Sequence, residues 1–186
     1  MKIGVVLGSI RQGRFGAQVA EWTMENLPAV DGVEVELLDL KSFNVPLLTV
    51  PTVPGAAQRK YSSDEVRAWS AAIDSCDGFL FVTAEYNHSI PGAFKNALDS
   101  LGPEWWGKAV GFISYGADGG IRAVEHWRTV VANMGMTDVR AQLPIYMFNE
   151  KAEDGTFTPN SRRAAELSGL YEQVLDATRR NLGNRR

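Results

Sequence analysis

The segment Phe79 to Thr83 (FLFVT) is the strongest strand pattern in the sequence. A short, continuous apolar run of this kind is typical of a strand that is buried on both faces of a sheet. Ile3 to Leu7 and Ala109 to Tyr115 have the same character, and a further strand is predicted near Thr137 to Leu143. Val33 to Leu38 instead alternates, with Val33, Val35 and Leu37 on one face, which predicts a less buried edge strand.

Segments with helical periodicity separate these five strands. They predict helices from Arg14 to Leu27, from Ser63 or Asp64 onward, after Pro91, from Ile121 to Met134 and from Ser161 to Leu182. Strands that alternate with helices form a parallel sheet covered on both faces, and five strands fit the doubly wound order 2-1-3-4-5. The ligand of such a sheet binds at the carboxyl ends of the strands, so the loops after strands one, three and four are the candidates for a site.

Length and charge narrow the function classes. The chain has 186 residues, which suits one domain over residues 1–186, and 19 Lys and Arg against 22 Asp and Glu give a net charge of -3. This balance argues against a nucleic-acid partner. A single cysteine, Cys76, excludes an intrachain disulfide, and no apolar stretch approaches the length of a membrane span. We therefore expect a cytoplasmic protein without membrane contact.

The loop after the first strand has the composition of an anion site. It runs from Gly8 to Gly16 (GSIRQGRFG) into the first helix, where backbone amides and the helix N-terminus favour negative charge. Ser9 adds a hydroxyl, and Arg11 and Arg14 add guanidinium groups that suit phosphate oxygens. The spacing matches neither a P-loop nor a dinucleotide fingerprint. Phosphate binding is the favoured interpretation, and an ordinary turn with solvent-facing arginines is the alternative.

The other two loops are less specific. Ala84 to Ala93 (AEYNHSIPGA) presents an aromatic ring, an amide and backbone donors, which suit a flat heteroaromatic ligand. A polar turn that caps the next helix explains this segment equally well. Ser114 to Gly120 (SYGADGG) allows close ligand approach through its glycines, and a flexible connection is an adequate alternative.

Two of these motifs together carry a family resemblance. Gly8 to Arg11 (GSIR), followed by Glu85 to Asp99 (EYNHSIPGAFKNALD), resembles the NADPH-dependent FMN reductases, and the Ser114 to Gly120 loop is also similar. These are flavodoxin-like flavoproteins that include quinone, azo-dye and chromate reductases. The resemblance implies a three-layer α/β sandwich with bound FMN and an NADPH or NADH electron donor.

The resemblance also assigns roles to residues of this chain. Ser9 and Arg11 resemble the residues that hold the FMN phosphate, and the amides from Gly13 to Gly16 would add to them. Arg14, where the family often has serine, would preserve anion affinity. The cofactor-binding residues implied in this way are Ser9, Arg11, Gly13, Arg14, Phe15 and Gly16 in the first loop, Glu85, Tyr86, Asn87 and His88 beside the isoalloxazine ring, and Ser114, Tyr115 and Gly116 in the third loop.

The implied activity is transfer of a hydride from nicotinamide to FMN and then of electrons to a quinone, azo, metal-oxyanion or free-flavin acceptor. No protein acid or base is strictly needed, because the flavin carries the chemistry. The proline-rich segment 41–63 is a candidate for one wall of the nicotinamide site, and relatives of this type form homodimers or homotetramers. The alternative is a flavodoxin-like electron carrier without nicotinamide activity, which the net charge of -3 and the pair Arg11 and Arg14 disfavour.

The remaining histidine, cysteine, tryptophan and arginine residues have plainer interpretations. His88 and His126 with one cysteine make no convincing metal site, so no metal is expected. Cys76 falls on an apolar helix stripe, which predicts an inert core position, and His126 is expected in packing or an interface. Trp105 and Trp106 cannot easily both point inward, which leaves core cover and a subunit interface equally open. The terminal arginines, Arg179, Arg180, Arg185 and Arg186, are predicted to be a solvated helix end.

Overall fold

Five parallel strands form the central sheet. A computed structural model describes residues 1–184, and its strands are Lys2–Leu7 (β1), Glu34–Asp39 (β2), Gly78–Ala84 (β3), Ala109–Gly116 (β4) and Thr137–Tyr146 (β5). Their order is β2-β1-β3-β4-β5, and all neighbouring strands pair in parallel. The predicted doubly wound sheet is therefore confirmed. Because β1 and β3 are neighbours and the order reverses beside β1, the loops after these strands meet at one edge.

Helices cover both faces of the sheet. The long helices are Phe15–Asn26 (α1), Asp64–Asp74 (α3), Gly92–Asp99 (α4), Ile121–Asn133 (α5) and Arg163–Asn184 (α7), and Leu40–Phe43 (α2) and Met147–Glu150 (α6) are single turns. Val19 of α1 and Leu170 of α7 belong to the buried cluster on one face. Trp69, Phe94 and Trp127, from α3, α4 and α5, belong to the cluster on the other. The fold thus has the three layers that the sequence predicts.

Strand β3 is buried along its whole length, as its apolar run predicts. The edge strand β2 is less buried, and its most buried residue is Leu38, whereas Leu37 is 37% exposed. Val33 and Val35 pack on the sheet face that α1 covers, and Leu38 packs on the opposite face of the sheet. The alternation therefore identifies the edge strand correctly, but Leu38, and not Leu37, is its most buried residue.

The proline-rich segment 41–63 is irregular apart from the end of α2 and a short 3-10 turn at Pro54–Ala56. The side-chain amide of Asn96 in α4 accepts from Leu48 N (2.9 Å) and donates to the Pro46 carbonyl (2.9 Å). Tyr61 donates its hydroxyl to the fully buried carboxylate of Glu104 (2.8 Å). These side-chain hydrogen bonds hold the segment against α4 and the turn that follows it.

Several side chains outside the loops are placed as expected. Trp105 is fully buried, whereas Trp106 is 56% exposed. Cys76 is buried directly after α3, and burial raises the pKa of its thiol. Arg179 and Arg180 are exposed on α7, whereas Arg185 and Arg186 lie outside the described residues. Within residues 1–184, every helix is too short or too polar to cross a lipid bilayer.

Candidate active site

The loops after β1, β3 and β4 enclose a cavity of about 350 Å³ at the carboxyl edge of the sheet. The segment after β5 forms the remaining wall. The lining residues are Ser9, Arg11, Gln12, Gly13, Arg14 and Phe15 from the first loop, Ala84, Glu85 and Tyr86 from the second, Tyr115, Gly116 and Ala117 from the third, and Met147 and Lys151 from the fourth. The cavity therefore lies where the doubly wound topology places a ligand.

The first loop delivers the start of α1 to this cavity. Gly13 has φ 59°, a left-handed conformation that glycine adopts without steric cost, and it turns the chain into the helix. Arg14 occupies the N-cap position, and its side chain does not cap the helix. The first turn of α1 contains no acidic residue. Unsatisfied amides and the positive end of the helix dipole thus favour a bound anion here.

Ser9 and Arg11 both contact Tyr86 from the second loop. The Ser9 side chain is buried, and its Oγ lies 2.9 Å from the Tyr86 hydroxyl oxygen, with either group able to donate. The Arg11 guanidinium carbon lies 5.6 Å from the centre of the Tyr86 ring, within the range of a cation–π contact. These contacts join the first and second loops across the cavity.

Arg14 lines the cavity but has its guanidinium bound to other residues of the chain. Its Nη1 donates to Oδ1 of Asp39 (2.8 Å) at the end of β2 and to the Ser9 carbonyl (2.7 Å). Its Nη2 forms a second, short hydrogen bond with the other oxygen of Asp39. The resulting pair is bidentate, which is the strongest geometry for an arginine and a carboxylate. Arg14 therefore braces the first loop against β2.

Tyr115 supplies an unpaired polar atom at the cavity wall. Its side chain is 5% exposed, and among the described residues its hydroxyl has no hydrogen-bond partner. Burial raises the pKa of this phenol, which keeps the hydroxyl protonated and able to donate. A buried donor without a partner costs about 1–3 kcal/mol, which a ligand acceptor would recover. An FMN phosphate or ribityl oxygen fits this requirement.

The second loop turns sharply at its tip. Tyr86 and Ser89 exchange two backbone hydrogen bonds (3.0 and 3.1 Å), and Asn87 and His88 between them have φ of 49° and 73°. Two consecutive left-handed residues define a type I′ turn. Both residues are exposed, and neither lines the cavity. Ser89 Oγ also lies 2.7 Å from Nδ1 of His126, which anchors the turn to α5.

The Glu85 carboxylate binds the second loop to the third. It accepts from Arg122 N (3.1 Å) and from Arg122 Nε (2.6 Å), at the start of α5, and is 6% exposed. Arg122 also donates to Asp118 (2.7 Å) in the third loop. Nearby, Ser114 Oγ donates to the Gly119 carbonyl (2.6 Å). The Glu85 and Ser114 side chains thus position the loops, and Glu85 lines the cavity without directing a free charge into it.

The structure brings together nine of the thirteen predicted site residues. The four that do not line the cavity are Gly16, Asn87, His88 and Ser114. Sequence reasoning missed five lining residues, namely Gln12, Ala84, Ala117, Met147 and Lys151. The signal for the last two was available, because the loop after β5 leaves the same edge of the sheet. The proline-rich segment lines a separate cavity of about 610 Å³ that shares no lining residue with this one.

Comparisons with known proteins show the family to which this chain is similar. The family model described as NADPH-dependent FMN reductase matches residues 1–150. The NAD(P)H-dependent FMN reductase ntnL of Nectria sp is 34% identical, with 95% of this chain and 92% of the relative covered. A 2-hydroxy-1,4-benzoquinone reductase of Burkholderia sp is 37% identical, with coverages of 94% and 92%. The solved structure of FerB, a flavoenzyme NAD(P)H:(acceptor) oxidoreductase from Paracoccus denitrificans, shares the fold at a TM-score of 0.71 and 21% identity, with 97% and 98% covered.

These findings confirm the sequence-based resemblance and, with it, FMN as the cofactor and NAD(P)H-dependent oxidoreduction as the activity. They do not favour the electron-carrier alternative. The same family is indicated by the motif in the first loop, the motif in the second loop and the strand order of the sheet. The chain belongs to the NADPH-dependent FMN reductase family.

Proposed function

We propose that this enzyme binds FMN across the carboxyl edge of the sheet and reduces a quinone-type small molecule with electrons from NADPH or NADH. The observation that carries the proposal is the cavity itself. It combines a helix N-terminus, an arginine and a buried unpaired hydroxyl at one end with two tightly braced loops at the other. A cavity with two such different ends suits a molecule that has an anionic tail and a flat ring.

At the anionic end, Ser9, Arg11 and the amides from Gly13 to Gly16 would hold the phosphate. Tyr115 would donate its hydroxyl to a phosphate or ribityl oxygen. Charge-assisted hydrogen bonds of this kind are roughly twice as strong as neutral ones, so this end supplies much of the affinity. The braced loops after β3 and β4 would border the isoalloxazine ring, with Glu85, Tyr86 and Gly116 at the cavity wall. Asn87 and His88 form the turn at the tip of the second loop, and Ser114 fixes the third loop.

When bound, FMN would supply the two-electron redox chemistry between a nicotinamide and the acceptor. The residues of this chain would bind the cofactor and orient it. Rigid loops matter for this task, because hydride transfer depends on a close and well-oriented approach of the two rings. The hydrogen bonds of Glu85 and Ser114 provide that rigidity.

A visible spectrum tests the cofactor assignment directly. We expect the purified protein to be yellow, or to acquire a perturbed flavin spectrum when FMN is added. Anaerobic addition of NADPH or NADH should then bleach the flavin absorbance. A protein that binds no FMN would contradict the site, and one that binds FMN but is not bleached would behave as a carrier.

The acceptor class needs its own assay. Quinone reductase is the name of several relatives, including the Burkholderia sp protein, and this supports a quinone-type acceptor for this chain. We expect the NADPH-reduced enzyme to be reoxidised anaerobically by a benzoquinone, with ping-pong kinetics in the steady state. Reoxidation by free FMN or an azo dye at a higher kcat/KM than by any quinone tested would overturn this acceptor class.

We also propose a homodimer or homotetramer in the cytoplasm. Large apolar side chains at the surface support an assembly, since Leu47, Val53, Trp106 and Phe148 are 77%, 71%, 56% and 84% exposed. Light scattering coupled to size-exclusion chromatography measures the mass directly. A mass of one chain at micromolar concentration would contradict the assembly.

A further inference from the structure

The phosphate of FMN carries about two negative charges at neutral pH and needs cations around it. The sequence offers Arg11 and Arg14 in the first loop. Arg14, however, is 13% exposed, and both of its terminal nitrogens are bound to the two oxygens of Asp39. A bidentate pair of opposite charges has no net charge, and breaking it to reach a phosphate would leave Asp39 unpaired. Arg11 is therefore the one cation that the first loop directs toward the ligand.

A second cation reaches the cavity from a different element. Lys151 follows α6 and lines the same cavity as Ser9 and Arg11. Its side chain is exposed, and no ion pair or hydrogen bond of its ammonium group is found within residues 1–184. An unpaired lysine in a cavity that also holds a helix N-terminus and Arg11 adds to a locally positive field, which costs free energy unless an anion is bound.

The backbone around Lys151 is fixed. Lys151 forms a β-bridge with Phe157, and Ala152 N donates to the Thr156 carbonyl (2.9 Å). The side chain of Gln18 in α1 accepts from Phe157 N (2.7 Å) and donates to the Gly155 carbonyl (3.1 Å). This small hairpin is thus docked on the same helix whose N-terminus faces the cavity. The position of Lys151 relative to the first loop is set by these contacts.

We propose that Lys151 is the second cationic contact of the FMN phosphate and that Arg14, neutralised by Asp39, is a positioning residue that holds the Ser9 carbonyl. This inference rests on the proposed FMN site. It assigns the charge partner of the phosphate to a segment beyond residue 150, where the family match ends.

The test compares FMN with riboflavin, which lacks the phosphate. Dissociation constants of both are measured by quenching of flavin fluorescence for apoprotein of the wild type, Lys151→Gln, and the charge-neutral double variant Arg14→Gln/Asp39→Asn. Lys41→Gln, at an exposed lysine outside the cavity lining, is the matched control. The same titrations at low and high salt show how strongly flavin affinity depends on charge.

We expect Lys151→Gln to weaken FMN binding roughly fivefold to tenfold and to change riboflavin binding less than about twofold. Its FMN affinity should also depend less on salt than that of the wild type. The double variant should keep the wild-type ratio of FMN to riboflavin affinity and the wild-type salt dependence, even if it binds both flavins more weakly. Lys41→Gln should match the wild type in every titration.

Two results would overturn the inference. One is an unchanged FMN affinity in Lys151→Gln, a variant of an exposed side chain that we expect to fold normally. The other is a double variant whose preference for FMN over riboflavin falls about tenfold, since this would make Arg14 a phosphate contact. A wild-type protein that binds neither flavin would contradict the proposed function instead, so the two failures are distinguishable.

Discussion

A Cβ atom on Gly16 would lie 2.3 Å from the Tyr115 hydroxyl oxygen. Only glycine at this position lets the phenol lie against the first turn of α1, and the close approach directs the hydroxyl to the anionic end of the cavity. Phe15 packs edge-on against the Tyr115 ring, with centroids 5.7 Å apart, and keeps the ring in place. The third loop and the first helix therefore form one wall.

Removal of the Tyr115 hydroxyl should make the apoprotein more stable and should weaken its binding of FMN. Tyr115→Phe deletes a buried polar atom without a partner among residues 1–184, so we expect the apoprotein to gain about 1 kcal/mol in free energy of unfolding. FMN affinity should fall, because the donor is lost. Urea unfolding and flavin titration measure the two effects.

Tyr171→Phe is the matched control, because the Tyr171 hydroxyl in α7 is also buried and unpaired within the described part of the chain. It does not line the cavity. The same gain in stability with unchanged FMN affinity is expected for this variant. A Tyr115→Phe protein that binds FMN as tightly as the wild type would show that the hydroxyl has no ligand partner.

Arg11 should contribute to FMN affinity through its charge. Arg11→Ala is expected to weaken FMN binding by about 1.5–3 kcal/mol, the usual value for a lost charged hydrogen bond, and to leave riboflavin binding nearly unchanged. Arg140→Ala, at an exposed arginine of β5 away from the cavity, is the control. Equal losses for FMN and riboflavin would indicate that Arg11 acts through its contact with Tyr86 rather than on the phosphate.

The ion pair of Glu85 and Arg122 should stabilise the loops around the ring. Glu85→Gln removes the charge from a nearly buried acceptor of two hydrogen bonds, and we expect a loss of about 1–2 kcal/mol in urea unfolding. Asp118→Asn changes the other carboxylate that contacts Arg122, but Asp118 is 69% exposed and should cost less than about 0.5 kcal/mol. Similar losses for both variants would argue against a special role of Glu85.

Acid sensitivity should arise in part from Glu150, which is 1% exposed and joins α6 to α7 through Arg163. Desolvation opposes ionisation of this carboxyl, but hydrogen bonds from Arg163 and from Asn160 N outweigh it and lower the pKa. A depressed folded-state pKa gives stability that is present above the unfolded pKa near 4.5 and is lost as pH falls through the lower folded value.

Glu150→Gln should therefore cost roughly 1.5–3 kcal/mol at pH 7, because Arg163 loses its buried carboxylate partner and keeps only the more exposed Glu166. The difference from the wild type should shrink as the pH falls below about 4. Urea unfolding at several pH values measures this. Glu166→Gln, which changes the more exposed partner of Arg163, is the control. A difference that does not depend on pH would exclude the ionised carboxylate as its source.

The fold follows from local patterns, and so does the position of the candidate cavity. The apolar run of β3 and the alternation of strands and helices suffice for the topology, and the topology then selects the loops. The partner of Arg14 could not be predicted, because Asp39 is 25 positions away and is brought close by pairing of β1 with β2. The loop after β5 could have been recognised as a wall of the cavity, but the placement of Lys151 within it depends on a hairpin docked on α1. The partners of charged side chains are set by the tertiary structure, so they cannot be predicted from the spacing of residues along the chain.

The positive φ angles of Asn87 and His88 restrict the residue types that relatives can have at these two positions. Backbone angles of this kind admit asparagine, aspartate and glycine readily and exclude β-branched residues. Evolution can therefore retain a small set of residues at these two positions for conformational reasons alone. Invariance at position 87 among relatives would be evidence for the shape of the turn, and a contact between its side chain and the flavin would need separate proof.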